Sequence, residues 1–448
     1  MINDDVLEDI RARIAEREEL GIRGLAERLG PADWADIVPR LSEEEISALL
    51  DMLPANEIPD LLGELEPEQA ADILETLGTD EAADLLEQLD PDDATDIVAE
   101  LSSEDAEQIL QAMEPEEAAE IRELLPYAAD TAGGRMTPAF VAISPEVRAD
   151  DAIAMLRRVA EEAETIYYVY VLDPAEKLLG VLSLHHLVLT KPATPVGDLM
   201  VADPFRVRAD ADQETAARLL VDNNLLALPV VDDQDRLLGI ITQDDIADVL
   251  EEEATEDIER LGGSQPLEMP YRVAAVPVLV RRRVGWLLFL FLAGLLTTQV
   301  LVSFQSRLEL VPALTLFIPL IVGIGGNVGS QTATTLVRAI GIGEVDIRDA
   351  GWVLLKELGT GLLIGVILGL AGLIRGGLAA GLQIGVVVAL TILVLTIWSS
   401  GVAAVLPLVL RRLGFDPAVV SAPFIATLVD ATGLLIYLTI AGLVLGAL

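Results

Sequence analysis

The stretch AVVSAPFIATLVDATGLLIYLTIAGLVLG, residues 418–446, is apolar or small throughout apart from one carboxylate, Asp430. It is longer than the ~20 residues that a helix needs to cross a ~30 Å hydrocarbon core. Asp430 is the thirteenth residue from Ala418, which puts it ~18 Å along such a helix at ~1.5 Å per residue. An unpaired carboxylate at that depth costs at least a few kcal/mol. No Lys or Arg inside the membrane segments offers itself as a permanent partner, so Asp430 needs a cation, water or a proton. The bland alternative is a protonated side chain that hydrogen-bonds between helices. Four more apolar segments precede it, at roughly 284–304, 312–337, 351–373 and 382–408, and together they predict a five-helix α transmembrane bundle over residues 276–448.

Working outward from that bundle, the loop charges orient it. Arg281, Arg282, Arg283, Arg338, Arg348, Lys356, Arg411 and Arg412 fall on one side, and only Arg307 and Arg375 on the other. An excess of bases marks the cytoplasmic side, so the N-terminus is expected in the cytoplasm and the C-terminus outside. Of the 73 acids and 29 bases, seven acids and eleven bases lie at or beyond residue 271. Residues 1–270 therefore carry a charge of about −48 and the remainder about +4. The opening MINDDVLEDIRARIAERE is charged throughout, which argues against a signal peptide and for a cytoplasmic first part. There is no cysteine and only the adjacent pair His185 and His186. Disulfides and thiolate chemistry are excluded and zinc or copper sites disfavoured, while hard, oxygen-liking cations remain. Neither a Walker loop nor a nucleophile elbow nor a catalytic His or Cys arrangement is found, so an enzyme is not expected.

The acidic part repeats. From Gly30 to Leu125 it divides into eight lines of twelve residues, beginning GPADWADIVPRL and ending EPEEAAEIRELL. Each line starts with turn or capping residues, often with Pro first or second, and continues with apolar residues at helical spacing to a final Leu or Met. A repeat this short cannot bury its own face and must stack on its neighbours, which predicts an all-α acidic superhelical domain over 1–130. A second repeat follows. The segments from Met136 and from Met200 share an order of extended segment, amphipathic helix, strand ending in Asp, turn, strand and helix. That order, with the closing pattern Gly239-Ile-Ile-Thr242-Gln-Asp-Asp245, resembles a tandem pair of CBS domains (α/β), placed at 131–195 and 196–250. Thr242 and Asp245 suit a nucleotide ribose, which makes ATP a candidate ligand. The first copy, Gly180-Val-Leu-Ser183-Leu-His-His186, ends in histidine instead, and a purely dimerising regulatory pair is the other reading.

A connecting helix is read over 251–275, leading out of a helical pattern that ends at Leu261 where Gly-Gly stops it. In the second membrane segment, GIGGNVGSQTATT (323–335) brings Asn327, Ser330, Gln331 and several threonines to membrane depth. The glycines there break or thin the helix beside a cavity, or pack helices through Gly325-x-x-x-Gly329, and the two readings can coexist.

With GGNVGSQ in the second membrane segment and DPAVVSAPFIATLVDATG in the fifth, behind an acidic helical repeat and a CBS pair, the chain resembles the MgtE magnesium channels and transporters. The resemblance implies a homodimer in a bacterial-type plasma membrane, with lipid and Mg2+ but no nucleic acid as partners. It also implies one pore between the second and fifth segments of both subunits, with Asp430, the Ala426 carbonyl and Asn327 along the ion path. Cytosolic acids would bind Mg2+ and shut that pore. Ions bridging Asp90, Asp92 and Asp93 to Asp245, Asp248, Glu253, Glu256, Asp257 and Asp416 would favour the compact state by binding linkage. A proton- or Na+-coupled divalent cation carrier and a membrane-anchored nucleotide sensor are the alternatives.

Overall fold

In a computed structural model that describes residues 4–26, 28–160, 163–267, 269, 271 and 274–446, the chain forms two compact units, up to Glu253 and from Ala254 onward. The first begins with helices α1 (Asp4–Glu16) and α2 (Glu19–Ala26), after which each twelve-residue line folds as one helix. These are α3 (Pro31–Ile37), α4 (Glu43–Leu50), α5 (Ile58–Gly63), α6 (Pro67–Glu75), α7 (Thr79–Leu86), α8 (Pro91–Glu100), α9 (Ser103–Ala112) and α10 (Pro115–Leu124). Their starts are set locally. Proline opens α3, α6, α8 and α10, where its missing N–H costs nothing, and Ser42 forms a capping box with Glu45. Helices two lines apart pack together, α6 on α8, α7 on α9 and α8 on α10. Line-ending Leu41, Leu53, Leu65, Leu101 and Met113 are buried in the shared core. Stacking is thus what makes each short helix stable, as isolated helices of this length are not.

The CBS pair builds two sheets from β1 (Ala142–Ile143), β2 (Tyr168–Leu172), β3 (Leu178–Ser183), β4 (Val201–Ala202), β5 (Val207–Arg208), β6 (Ala227–Val231) and β7 (Leu237–Thr242). The orders are β1-β2-β3-β4 and β5-β6-β7, each with one parallel and at least one antiparallel pairing. Helices α11 (Ala149–Val159), α12 (Leu184–Leu189) and α13 (Gln213–Asp222) accompany them. The two copies exchange their leading segments. Val201 and Ala202, near the start of the second copy, pair with β3 of the first, and Thr137, near the start of the first, exchanges both backbone hydrogen bonds with Ile240 of the second. The exchange depends on glycine. A Cβ on Gly180 would stand 2.7 Å from Met200 Sδ, and one on Gly239 2.7 Å from the Thr137 carbonyl oxygen. The last helix of the second copy and the connecting helix are one element, α14 (Gln243–Leu261), which ends at Gly262 and a left-handed Gly263 with φ +78°.

Among its described residues the second unit contains five helices long and apolar enough to cross a membrane. Four of them, α15 (Val276–Ser303), α17 (Ile318–Gly341), α18 (Ala350–Ala380) and α19 (Leu382–Arg412), are followed by α20 (Ala422–Leu445), and a short α16 (Gln305–Leu310) links α15 to α17. α17 packs against α19 and α20, and α18 lies along α19. The α18–α19 seam is made of small residues at successive turns: a Cβ on Gly365 would come 2.4 Å from Thr396 Oγ1, and one on Gly376 2.8 Å from Gly385 Cα. Such close backbone approach supplies the van der Waals contact that replaces a hydrophobic driving force in lipid. Lys356 and Arg375, counted above among the loop bases, lie within α18, as does Glu357: Lys356 rests 4.8 Å over the Trp352 ring, and Glu357 accepts a 3.3 Å hydrogen bond from the Thr332 hydroxyl.

Candidate functional site

Asp430 sits in the third turn of α20, half-buried, and makes no hydrogen bond or ion pair among the described residues. It faces Gly326 of α17, where a Cβ would meet Ala426 Cβ at 3.3 Å and come within 3.8 Å of Asp430 Oδ1. Ala426 and Asp430 therefore flank one point of α17, and Asn327 is the next residue, exposed in the single chain. The glycines of this motif do not interrupt the helix, so of the two readings of GIGGNVGSQ it is helix packing that the backbone follows. A Cβ on Gly329 would lie 2.6 Å from both Ile425 Cγ2 and Ser399 Oγ, and one on Gly325 2.8 Å from Val429 Cγ1. The Ser399 hydroxyl donates to the Gly325 carbonyl at 2.7 Å, and the Ser330 hydroxyl to the Ala422 carbonyl at 3.1 Å. With one face of α17 spent on packing, its polar side chains Asn327, Gln331, Thr334 and Thr335 are left exposed in the single chain.

The second candidate region gathers acids in the first unit. Asp90, Asp92 and Asp93, at the start of α8, are brought near Asp245 at the start of α14. Asp92 Oδ1 is buried without a hydrogen-bond partner. Desolvation, then the charges of Asp245 and Asp93, hold its carboxyl well above the usual carboxylate range. Asp93 is exposed in surface area, yet desolvation of its carboxyl, then the charges of Asp90 and Asp245, push it up to about 7. Glu164, which the sequence reading missed inside a run of acids resembling a solvated loop, is pushed up to about 7 by desolvation and then by Asp90, Asp245 and Asp244. Asp96, also missed, is raised to about 6 by desolvation, against the lowering effect of Arg135. Asp248 and Asp245 are raised, chiefly by desolvation. Among the described residues no three of these groups converge closely enough to hold a metal ion. They are instead crowded negative charges that gain from a proton or a bridging cation.

Asp245 also bears on the nucleotide expectation. Its Oδ2 accepts from both the Thr242 N–H, at 3.0 Å, and the Thr242 hydroxyl, at 2.6 Å, so that it caps α14 and leaves Oδ1 for a ribose hydroxyl or a cation. His185 and His186 are exposed, as surface residues would be. Glu253 accepts from Gln213 at 2.7 Å, Asp257 lies near Gly341 at the end of α17, and Glu256 and Asp416 both pair with Arg260.

Comparison with known proteins bears on both regions. Residues 318–440 match the MgtE divalent cation transporter family, residues 29–130 the MgtE intracellular N domain, and residues 196–252 the CBS domain. The magnesium transporter MgtE of Thermus thermophilus is 44% identical over 327 residues, covering 73% of this chain and 73% of that protein. That of Enterococcus faecalis is 36% identical over 327 residues, covering 72% and 71%. Among solved structures, the cytosolic domain of the Mg2+ channel MgtE in complex with ATP is similar with a TM-score of 0.51 at 36% identity, covering 54% of this chain and 99% of that one. The soluble part of a magnesium transporter gives 0.50 at 33% identity, covering 56% and 99%.

Proposed function

The chain belongs to the MgtE family of divalent cation transporters, and from that premise we propose that it is a multi-pass Mg2+ channel or transporter whose acidic cytosolic part closes the path as cytoplasmic Mg2+ rises. The observation that carries this reading is Asp430, a carboxylate in a membrane-spanning helix with no partner among the described residues. Mg2+ dehydrates reluctantly and keeps several waters, so its path needs charge and room more than many direct ligands. Asp430 supplies the charge, and Ala426, Gly326 and Ala431 leave the room. The attraction must stay modest, since the ion also has to leave. The exposed polar face of α17 supports a homodimer in which two copies of that face and two Asp430 carboxylates line one path with Asn327, because polar groups at membrane depth must meet water or protein. The loop bases support a cytoplasmic N-terminus in a bacterial-type plasma membrane.

Closure rests on crowded acids. Without cations, Asp90, Asp92, Asp93, Asp245 and Glu164 repel one another, and Mg2+ that binds them only when gathered draws them together by linkage. Asp248, Glu253, Glu256, Asp257 and Asp416 extend the same charge along α14 and to the start of α20. Thr242 and Asp245 fit an adenine nucleotide's ribose, and ATP bound there would add phosphate charge beside the acids. The test is Mg2+ flux into vesicles holding the purified protein, wild type against Asp430→Ala, at stepped cytoplasmic-side Mg2+. We expect flux in the wild type, its loss in the variant, and its shut-off by internal Mg2+. Unchanged conduction in Asp430→Ala would remove the aspartate from the path and the reading with it.

A further inference from the structure

The charge pattern assigns Glu256 and Asp416 to a bridging cation, but a cation of the chain already stands between them. Arg260, one turn beyond Glu256 on α14, pairs with the Glu256 carboxylate and donates to Asp416 Oδ2. The other oxygen of Asp416 is engaged as well: Oδ1 accepts the Ala418 N–H at 2.7 Å and so caps the turn that leads into α20. Arg260 thus joins the connecting helix to the start of the helix that carries Asp430.

Neighbouring contacts fasten the same place. The Glu259 carboxylate accepts the Leu267 N–H at 2.7 Å, and the Gln265 N–H reaches the Arg282 carbonyl at 3.1 Å. Trp286 Nε1 donates at 3.0 Å to the Ser421 hydroxyl, which itself caps α20. Gly263, in the left-handed region, brings the chain against Trp286, where a Cβ would stand 2.9 Å from Cδ1. The end of α14 is therefore held to the first turn of α20 by a set of contacts in which Arg260 supplies a charge bridge.

We propose that Arg260 is a positioning residue for gating: a built-in counterion that holds the connecting helix to the start of α20 before any Mg2+ binds. A guanidinium bridging two carboxylates does what a bridging Mg2+ would do at this junction, without depending on its concentration. The side chains are partly exposed, about a third each, so an ion that arrives meets two acids already half neutralised. Arg260 sets a floor of closure, and Mg2+ at the other acids adds to it.

This inference rests on the transport reading, and the test separates the two. Mg2+ flux is measured in vesicles at nominally zero cytoplasmic-side Mg2+ for the wild type, Arg260→Gln, Arg260→Lys, Asp416→Asn and the double variant Arg260→Gln/Asp416→Asn. Arg260→Gln should raise zero-Mg2+ flux by roughly three- to tenfold, the range expected for one or two partly exposed charge pairs. Arg260→Lys, which keeps the charge, should stay close to the wild type. Once Asp416 is neutral, removing Arg260 should have a smaller effect than in the wild type. Equal zero-Mg2+ flux in the wild type and Arg260→Gln overturns the proposal, as does an effect of Arg260→Gln that is the same with Asp416 and without it. A wild type that carries no Mg2+ at all overturns the transport reading and this proposal together, whereas conduction indifferent to Arg260 overturns only this one.

Discussion

Acidification of the magnesium-free protein should draw the acids of α8 and α14 together. Asp93 and Glu164 both have carboxyls pushed up to about 7 where these elements meet. A group whose pKa is raised in the gathered state favours that state fully below its ordinary pKa, and the benefit is lost as pH rises through the raised value. The window for these groups thus runs from about pH 4, below which both forms are protonated, to about pH 7, above which both are ionised. Between about pH 8 and about pH 6, a carboxyl titrating near 7 in one state and near 4 in the other contributes up to ~1.4 kcal/mol toward the first. Two such groups give up to ~3 kcal/mol, and halving this for the solvent that still reaches them leaves ~1.4 kcal/mol, a tenfold shift in the gathering equilibrium. Hydrogen exchange of the α8 amides in the full-length protein, without Mg2+, reads that equilibrium. Protection after correction for the intrinsic pH dependence of exchange should rise about tenfold from pH 8 to pH 6. Saturating Mg2+ at pH 8 should produce at least as much. Protection that stays flat across this range would refute the argument that like charge, and not missing shape complementarity, is what Mg2+ overcomes.

Two further predictions concern the membrane unit. Gly365→Val, whose Cβ would fall 2.4 Å from Thr396 Oγ1 and 3.0 Å from Leu393 Cα, should cost ~1–3 kcal/mol by overpacking and lower the thermal midpoint in detergent. Gly294→Ala, at a position with nothing within 4 Å, should leave the midpoint where it was, and equal midpoints for the two variants would dismiss the seam. Tyr437→Phe should cost about 1 kcal/mol, because the buried Tyr437 hydroxyl donates to the Leu314 carbonyl at 2.9 Å; a chemical-denaturation midpoint equal to that of the wild type would show that this bond contributes nothing.

The parts most legible in the sequence are those whose cause is local. Eight lines of twelve residues became eight helices because each carries its own cap, its own proline and its own apolar stripe. The five spans followed from hydropathy alone. Helix ends were less legible, since α15 begins eight residues before the apolar run does: Arg281, Arg282 and Arg283 are good helix formers, and nothing in Val276–Arg283 stops a helix. The exchange of leading segments between the CBS copies was not legible, because a strand two residues long carries no sign of which sheet it will join. Glu164 and Arg260 were missed for a related reason. Each looks like an ordinary surface charge among its sequence neighbours, and what sets it apart is a partner 74 or 156 positions away, Asp90 or Asp416.

The motif GIGGNVGSQ shows how a packing face and a polar face divide one helix between them. Gly325 and Gly329, one turn apart, give α17 a bare face against Val429, Ile425 and Ser399, and this contact keeps the helix intact. Asn327, Gln331 and Thr334, at spacings of four and three, form a different stripe, exposed in the single chain. A polar stripe on a membrane-spanning helix is stable only against water or protein. Since Gly326 also places Ala426 and Asp430 at the boundary of the two faces, packing through the glycines is what presents the carboxylate and the polar stripe together. The glycines therefore set how the carboxylate and the polar stripe are presented, in a helix that stays continuous from Ile318 to Gly341.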